Sequence, residues 1–147
     1  MGRVAGQMRR LSGMALVILT GIALARPASA GEAGEGAPVP VPSGEEVRWI
    51  ETIRDSQGPA GLTLRFRFLA PAIGGENPIS QEAAEADMQA LCDGFALSRV
   101  AETGPRPAQI VISLSDRLVP FGETDDEAVQ YFEAYSIEDG ACVWELF

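Results

Sequence analysis

Histidine and lysine are absent from this sequence, and cysteine occurs only twice. Without histidine the chain lacks the usual general base near neutral pH and the commonest metal ligand, so no metal site is expected. Without lysine it can neither form a Schiff base nor supply the cation of a phosphate-binding loop. Every basic residue is an arginine, and the 11 arginines face 21 acids. A surface of that sign repels nucleic acid and anionic membranes, so neither is expected as a partner. Long apolar runs are also missing. The most apolar stretch, Leu11 to Ala25, has 15 residues, fewer than the roughly 20 that a membrane-spanning helix needs.

That stretch has a different reading. Arg3, Arg9 and Arg10 precede it, and Arg26-Pro27-Ala28-Ser29-Ala30 follows, with a helix-breaking proline and a small-x-small site. This is the tripartite pattern of a secretory signal peptide cleaved after Ala30. No cysteine follows the apolar core, which excludes a lipoprotein anchor, and Leu11-Ser12-Gly13 lacks the flanking pattern of a twin-arginine signal. The expected location is the periplasm or the exterior, with no membrane attachment after cleavage. Four arginines leave with the signal, so the mature chain sets seven arginines against all 21 acids, a net charge of -14.

The remainder is enough for one modest core. Residues 31–44 (GEAGEGAPVPVPSG) are rich in Gly, Pro and Glu without periodicity, and read as a disordered leader. Residues 45–147 are expected to form a single α+β domain. Glu46 to Arg54 reads as a strand, and Leu62 to Ala70 as a clearer one, with Leu62, Leu64, Phe66 and Phe68 at period two. DSQGPAG between them has turn chemistry. Matching apolar with apolar pairs Trp49 with Phe68 and Ile53 with Leu64. That register gathers Arg48, Arg54, Arg65 and Arg67 on the opposite face, a candidate patch for an anion or a protein partner.

Ser80 is a candidate N-cap for a helix with Glu82 and Glu85 in its first turns and Ala84, Met88, Leu91, Cys92 and Phe95 on one face, weakening near Gly94. Gln109 to Ser115 reads as a central strand and Gln130 to Glu138 as another. Asp139-Gly140 reads as a tight turn, and Ala141 to Phe147 as the returning partner. The order β-β-α-β-β-β predicts an antiparallel sheet with the helix across one face. Cys92 lies on the helix stripe and Cys142 on the inward face of the last strand with Trp144 and Leu146. A Cys92–Cys142 disulfide in an exported protein follows, closing a loop worth about 4 kcal/mol.

Weaker candidates remain. Ser113, Ser115, Asp116 and Arg117 form a polar strand end without the base that a triad requires. Thr124 and Glu127 have the spacing of a capping box around one helical turn. Asp125, Asp126 and Glu127 lack the spaced ligands and central glycine of a calcium loop. The ending Trp144-Glu145-Leu146-Phe147 is not accompanied by the strands of an outer-membrane barrel.

The blocks GPAGLTLRFRFLAP (58–71), DMQALCDGFAL (87–97), QIVISLSDRLVPFGE (109–123) and YFEAYSIEDGACVWELF (131–147) resemble an uncharacterised family of small secreted proteins of marine-type alphaproteobacteria. These proteins carry a domain of unknown function. The resemblance implies one exported domain and no catalytic residues. Some members bear the label acetolactate synthase, which denotes a much larger thiamine-diphosphate enzyme with a GDG-type motif. Only the isolated Asp139-Gly140 turn stands here, so no cofactor is expected. Two function classes are left: a non-catalytic periplasmic interaction or accessory module with an unidentified protein partner, or a small hydrolase or ligand-binding enzyme using carboxylates such as Asp116 and Glu123. Amino-terminal sequencing of the exported protein should read from Gly31; a start at Met1 would exclude the signal peptide.

Overall fold

A computed structural model describes residues 33–58, 61–100 and 105–146, together with residue 2. The signal-peptide reading of residues 1–30 lies outside the described residues. The fold is α+β. Six strands follow one another in chain order across a single sheet: β1 (Ala33–Pro38), β2 (Arg48–Gly58), β3 (Gly61–Leu69), β4 (Gln109–Ser115), β5 (Gln130–Glu138) and β6 (Ala141–Glu145). Between β3 and β4 a short 3-10 turn (Pro71–Ile73) precedes a continuous helix made of α1 (Gln81–Leu91), a π-helical turn (Cys92–Ala96) and α2 (Leu97–Val100). Gly94, where the helix was expected to weaken, sits inside that wider turn. None of the described helices is long and apolar enough to cross a membrane.

The helix begins where the sequence placed it, with the Ser80 hydroxyl accepting from the Ala83 N–H at 3.1 Å. Its apolar stripe packs on Leu64, Phe66, Phe68, Ile110, Ile112, Leu114 and Tyr135, the inward side chains of β3, β4 and β5. Phe95 meets the Trp49, Phe66 and Phe68 rings with centroids 5.3, 6.3 and 5.4 Å away, tilted or edge-on as ring quadrupoles prefer. The Arg99 guanidinium covers the outer side of this cluster, 3.4 Å from the Phe95 centroid.

Three expectations are corrected. Residues 33–44 are not a leader outside the domain: β1 pairs antiparallel with β2, and the Val39 N–H donates to the Val47 carbonyl at 2.9 Å. A Gly- and Pro-rich segment has no hydrophobic period, yet it supplies the backbone groups that the edge of β2 needs. The sheet is not wholly antiparallel, because β3 and β4 pair in parallel. The helical segment supplies the crossover connection that a parallel pair needs. Finally, Trp49 does face Phe68, but a register shift in β2 between Trp49 and Glu51 sets Ile53 opposite Arg65 instead of Leu64, and a second follows between Ile53 and Ser56. A bulge moves one residue past its partner and turns the residues beyond it to the other face. β2 also extends through Gly58, so most of the expected turn is strand.

The helix holds segments at both edges of the sheet. Asp87, 1% exposed, accepts from the Ser43 N–H at 2.9 Å and the Ser43 hydroxyl at 2.6 Å, fastening the connection between β1 and β2. At the other end, Cys92 is disulfide-bonded to Cys142, with Cα atoms 6.1 Å apart. Asp93 accepts the Cys142 N–H at 2.9 Å and Gln89 donates to the Cys142 carbonyl at 3.0 Å. These are edge groups of β6, which an uncovered strand would present to other chains.

The last strand departs from expectation beyond Cys142. Cys142 is buried, but Trp144 is 51% and Leu146 83% exposed. Because β6 is the edge, the helix covers its first inward position and stops short of the next two. In urea denaturation, replacing both cysteines by alanine should cost about 4 kcal/mol, and Asp87→Ala about 1.5–3 kcal/mol through loss of the bonds its carboxylate accepts from Ser43. Leu146→Ser should stay within about 0.5 kcal/mol of the parent.

Candidate interaction site

The sheet's outer face, opposite the helix, is built from the alternate residues. Arg67 lies beside Ser113 and Arg65 beside Val111 in the parallel β3–β4 pair, while Phe132 faces Ser113 and Ala134 faces Val111 across β4–β5. Phe132 falls here by period two, because Tyr131, Glu133 and Tyr135 alternate with it on β5. The connection from β4 to β5 then folds over part of this face: Val119 is buried, and Arg67 donates to its carbonyl.

The result is a pocket of about 290 Å³ lined by Arg65, Arg67, Ser113, Phe121, Glu123 and Phe132, among others. The two aromatic rims are open to solvent, Phe121 52% and Phe132 42% exposed. Each arginine lies over one ring, Arg65 at 5.6 Å from the Phe132 centroid and Arg67 at 5.8 Å from that of Phe121, cation–π contacts worth about 0.5–1 kcal/mol at exposed sites. Their charges are treated differently. Arg67 pairs with Glu51, its partner residue across β2–β3. Arg65 has no carboxylate partner among the described residues, and its buried Nε has no hydrogen-bond acceptor. Burial first, and then the like charge of Arg67, lower the Arg65 pKa.

The other two arginines of the expected patch do not join this pair. Arg48 is engaged at the sheet edge, ion-paired with Glu46 and donating to the Gly36 carbonyl at 2.9 Å. Arg54 stands within the second register shift of β2, and Ile53 takes the position opposite Arg65. The cysteines are joined as described.

The SLSDR segment does structural work. The Ser115 hydroxyl donates to the Arg117 carbonyl at 2.7 Å, and the Asp116 carboxylate accepts the Val129 N–H at 3.0 Å and the Arg117 Nε at 3.3 Å. A Cβ on Gly74 would lie 2.3 Å from that carboxylate, so the turn after β3 and the one after β4 are packed as a unit. Asp125 accepts the Glu127 N–H at 2.9 Å, forming a turn where one helical turn was expected. Glu123 is exposed at the pocket rim.

A second concavity, about 330 Å³, lies on the helix side between α1 and the last two strands, lined by Glu85, Gln89, Glu133 and Trp144. Glu133 accepts the buried Tyr135 hydroxyl. Burial holds the Glu133 carboxyl above the usual carboxylate range, with a smaller contribution from Glu85, while hydrogen bonds from Tyr135 and Trp144 oppose the rise. Desolvation and the bond to Glu133 push the Tyr135 phenol far up. Neither concavity was read from the sequence, although the odd parity of Phe132 was a signal for the first.

The chain belongs to a family of unknown function (DUF6497), which matches residues 20–147. No similar curated protein and no similar solved structure is found.

Since the folded Glu133 carboxyl binds its proton more tightly than the unfolded one, its contribution to stability falls as pH rises from the ordinary carboxylate pKa through the raised one. Urea midpoints of the parent and Glu133→Gln, taken from pH 4 to 8, should therefore diverge in the variant's favour across that window. Parallel profiles would contradict the assignment.

Proposed function

We propose that this member of DUF6497 is an exported, periplasmic interaction or accessory module that docks a protein partner on the outer face of its sheet. One observation carries the reading: exposed Phe121 and Phe132 frame two arginines on a face that the helix does not cover. Aromatic and arginine side chains are the types that anchor protein interfaces. The net negative mature surface adds solubility and sets this patch apart as a local positive exception. The disulfide, together with the amino-terminal sequence pattern, supports an oxidising compartment.

A carboxylate-dependent hydrolase or ligand-binding enzyme is the second reading. Asp116, a sequence candidate for it, is committed to Val129 and Arg117. The approach of a partly desolvated Glu133 to exposed Glu85 in the helix-side concavity is what now favours it, since a carboxyl raised by burial beside a like charge suits acid–base work.

Tagged mature protein expressed in the host periplasm should retain a stoichiometric partner. Phe132→Ser should reduce its recovery by about tenfold, the equivalent of 1.4 kcal/mol, and Leu146→Ser should not. Equal recovery with both variants would remove the outer face as the docking surface.

A further inference from the structure

We infer that the outer pocket receives the carboxylate of an acidic side chain on the partner, held by Arg65, with a neighbouring apolar group of the partner against Phe121 and Phe132. This assignment rests on the docking reading above and names its chemistry. The charges in the pocket decide the class of anion. Arg67 is already neutralised by Glu51, so one uncompensated guanidinium remains at Arg65. A single negative charge matches it, whereas a phosphate dianion or a polyanion would bring more charge than the pocket answers.

The mature chain as a whole sets 21 acids against seven arginines, a negative balance that turns away polyanions while leaving a short-range contact with one carboxylate intact. Arg65 is also held ready. Its Nε has already been stripped of water without receiving a partner, and the Phe132 ring lies against the guanidinium. An incoming carboxylate therefore meets a cation whose desolvation and ordering have largely been incurred in folding, the condition under which charge-assisted bonds add affinity. Ser113, beside Arg67 on β4, lines the floor, and Glu123 stands at the rim as an internal competitor for the same cation.

The peptide acetyl-Phe-Glu-Ala-amide, its Gln counterpart and inorganic phosphate can be titrated into isotopically labelled mature protein, with the Arg65 Nε–H and the Phe132 amide followed by NMR. The Glu peptide should saturate both signals near millimolar concentration. The Gln peptide should bind about tenfold more weakly, as should the Glu peptide to Arg65→Gln. Arg65→Lys should keep part of the affinity and Glu123→Gln should raise it, each variant's dispersed spectrum confirming its fold.

Equal binding of the Glu and Gln peptides, indifference to Arg65→Gln, shifts centred on Arg99, Arg106 or Arg117, or tighter binding of phosphate would overturn the inference. Absent peptide binding combined with a partner still lost on Phe132→Ser would reject the carboxylate and leave the docking face. Arg65-dependent peptide binding with no effect of Phe132→Ser on partner recovery would reject the docking reading instead.

Discussion

The fastening of one helix to both ends of the sheet is the constraint on which the rest of this structure depends. Within seven residues, Asp87 holds the segment after β1 through Ser43, and Gln89, Cys92 and Asp93 hold β6 through Cys142. Apolar contact with the middle strands would bury the helix stripe without saying how far the sheet extends on either side. The polar and covalent ties do that, because each has one partner and one geometry. They also occupy the exposed backbone of Cys142, so the fold's last edge is partly closed by the same side chains that anchor it.

With its helix committed to one face, the sheet has to finish the other with what the loops provide. The segment between β4 and β5 buries Val119 and gives its carbonyl to Arg67 on the outer face, and its own geometry is secured by Asp116 and by the close approach of Gly74. The cover is partial. Phe121 and Phe132 stay open, and of the two arginines between them Arg67 pairs with Glu51 while the buried Arg65 Nε has no partner among the described residues. A structural economy on one face thereby leaves a chemically distinct surface on the other.

Much of the architecture was legible. A period-two pattern located β3 and a β-branched run β4, Gln130 to Glu138 was also read as a strand, Ser80 marked the start of the helix, Asp139-Gly140 the last turn, and the two cysteines their bond. β1 was not, because an edge strand that buries little needs no apolar alternation and Ala33–Pro38 shows none. The arginine patch was half legible: Arg65 and Arg67 follow from the alternation of β3, whereas Arg54 depended on a straight register that the bulges of β2 break, and Arg48, which precedes them, is taken up by Glu46 and the Gly36 carbonyl. The tail was misread for a related reason. Alternation put Trp144 on the inward side, but whether anything lies opposite an inward side chain depends on the length and placement of another element.

By itself, then, the sequence determined the α+β class, the covalent link between helix and last strand, and the absence of histidine- and lysine-based chemistry. These rest on local periodicity and on residue identity. Only the tertiary structure decided that the third and fourth strands run parallel, that Asp116 and Asp125 serve turns, and that Arg65 is left without a carboxylate among the described residues while Arg67 has one. Such outcomes depend on which distant side chains arrive at the same place, and a carboxylate pairs with whichever cation the fold brings within a few ångströms, irrespective of their separation along the chain.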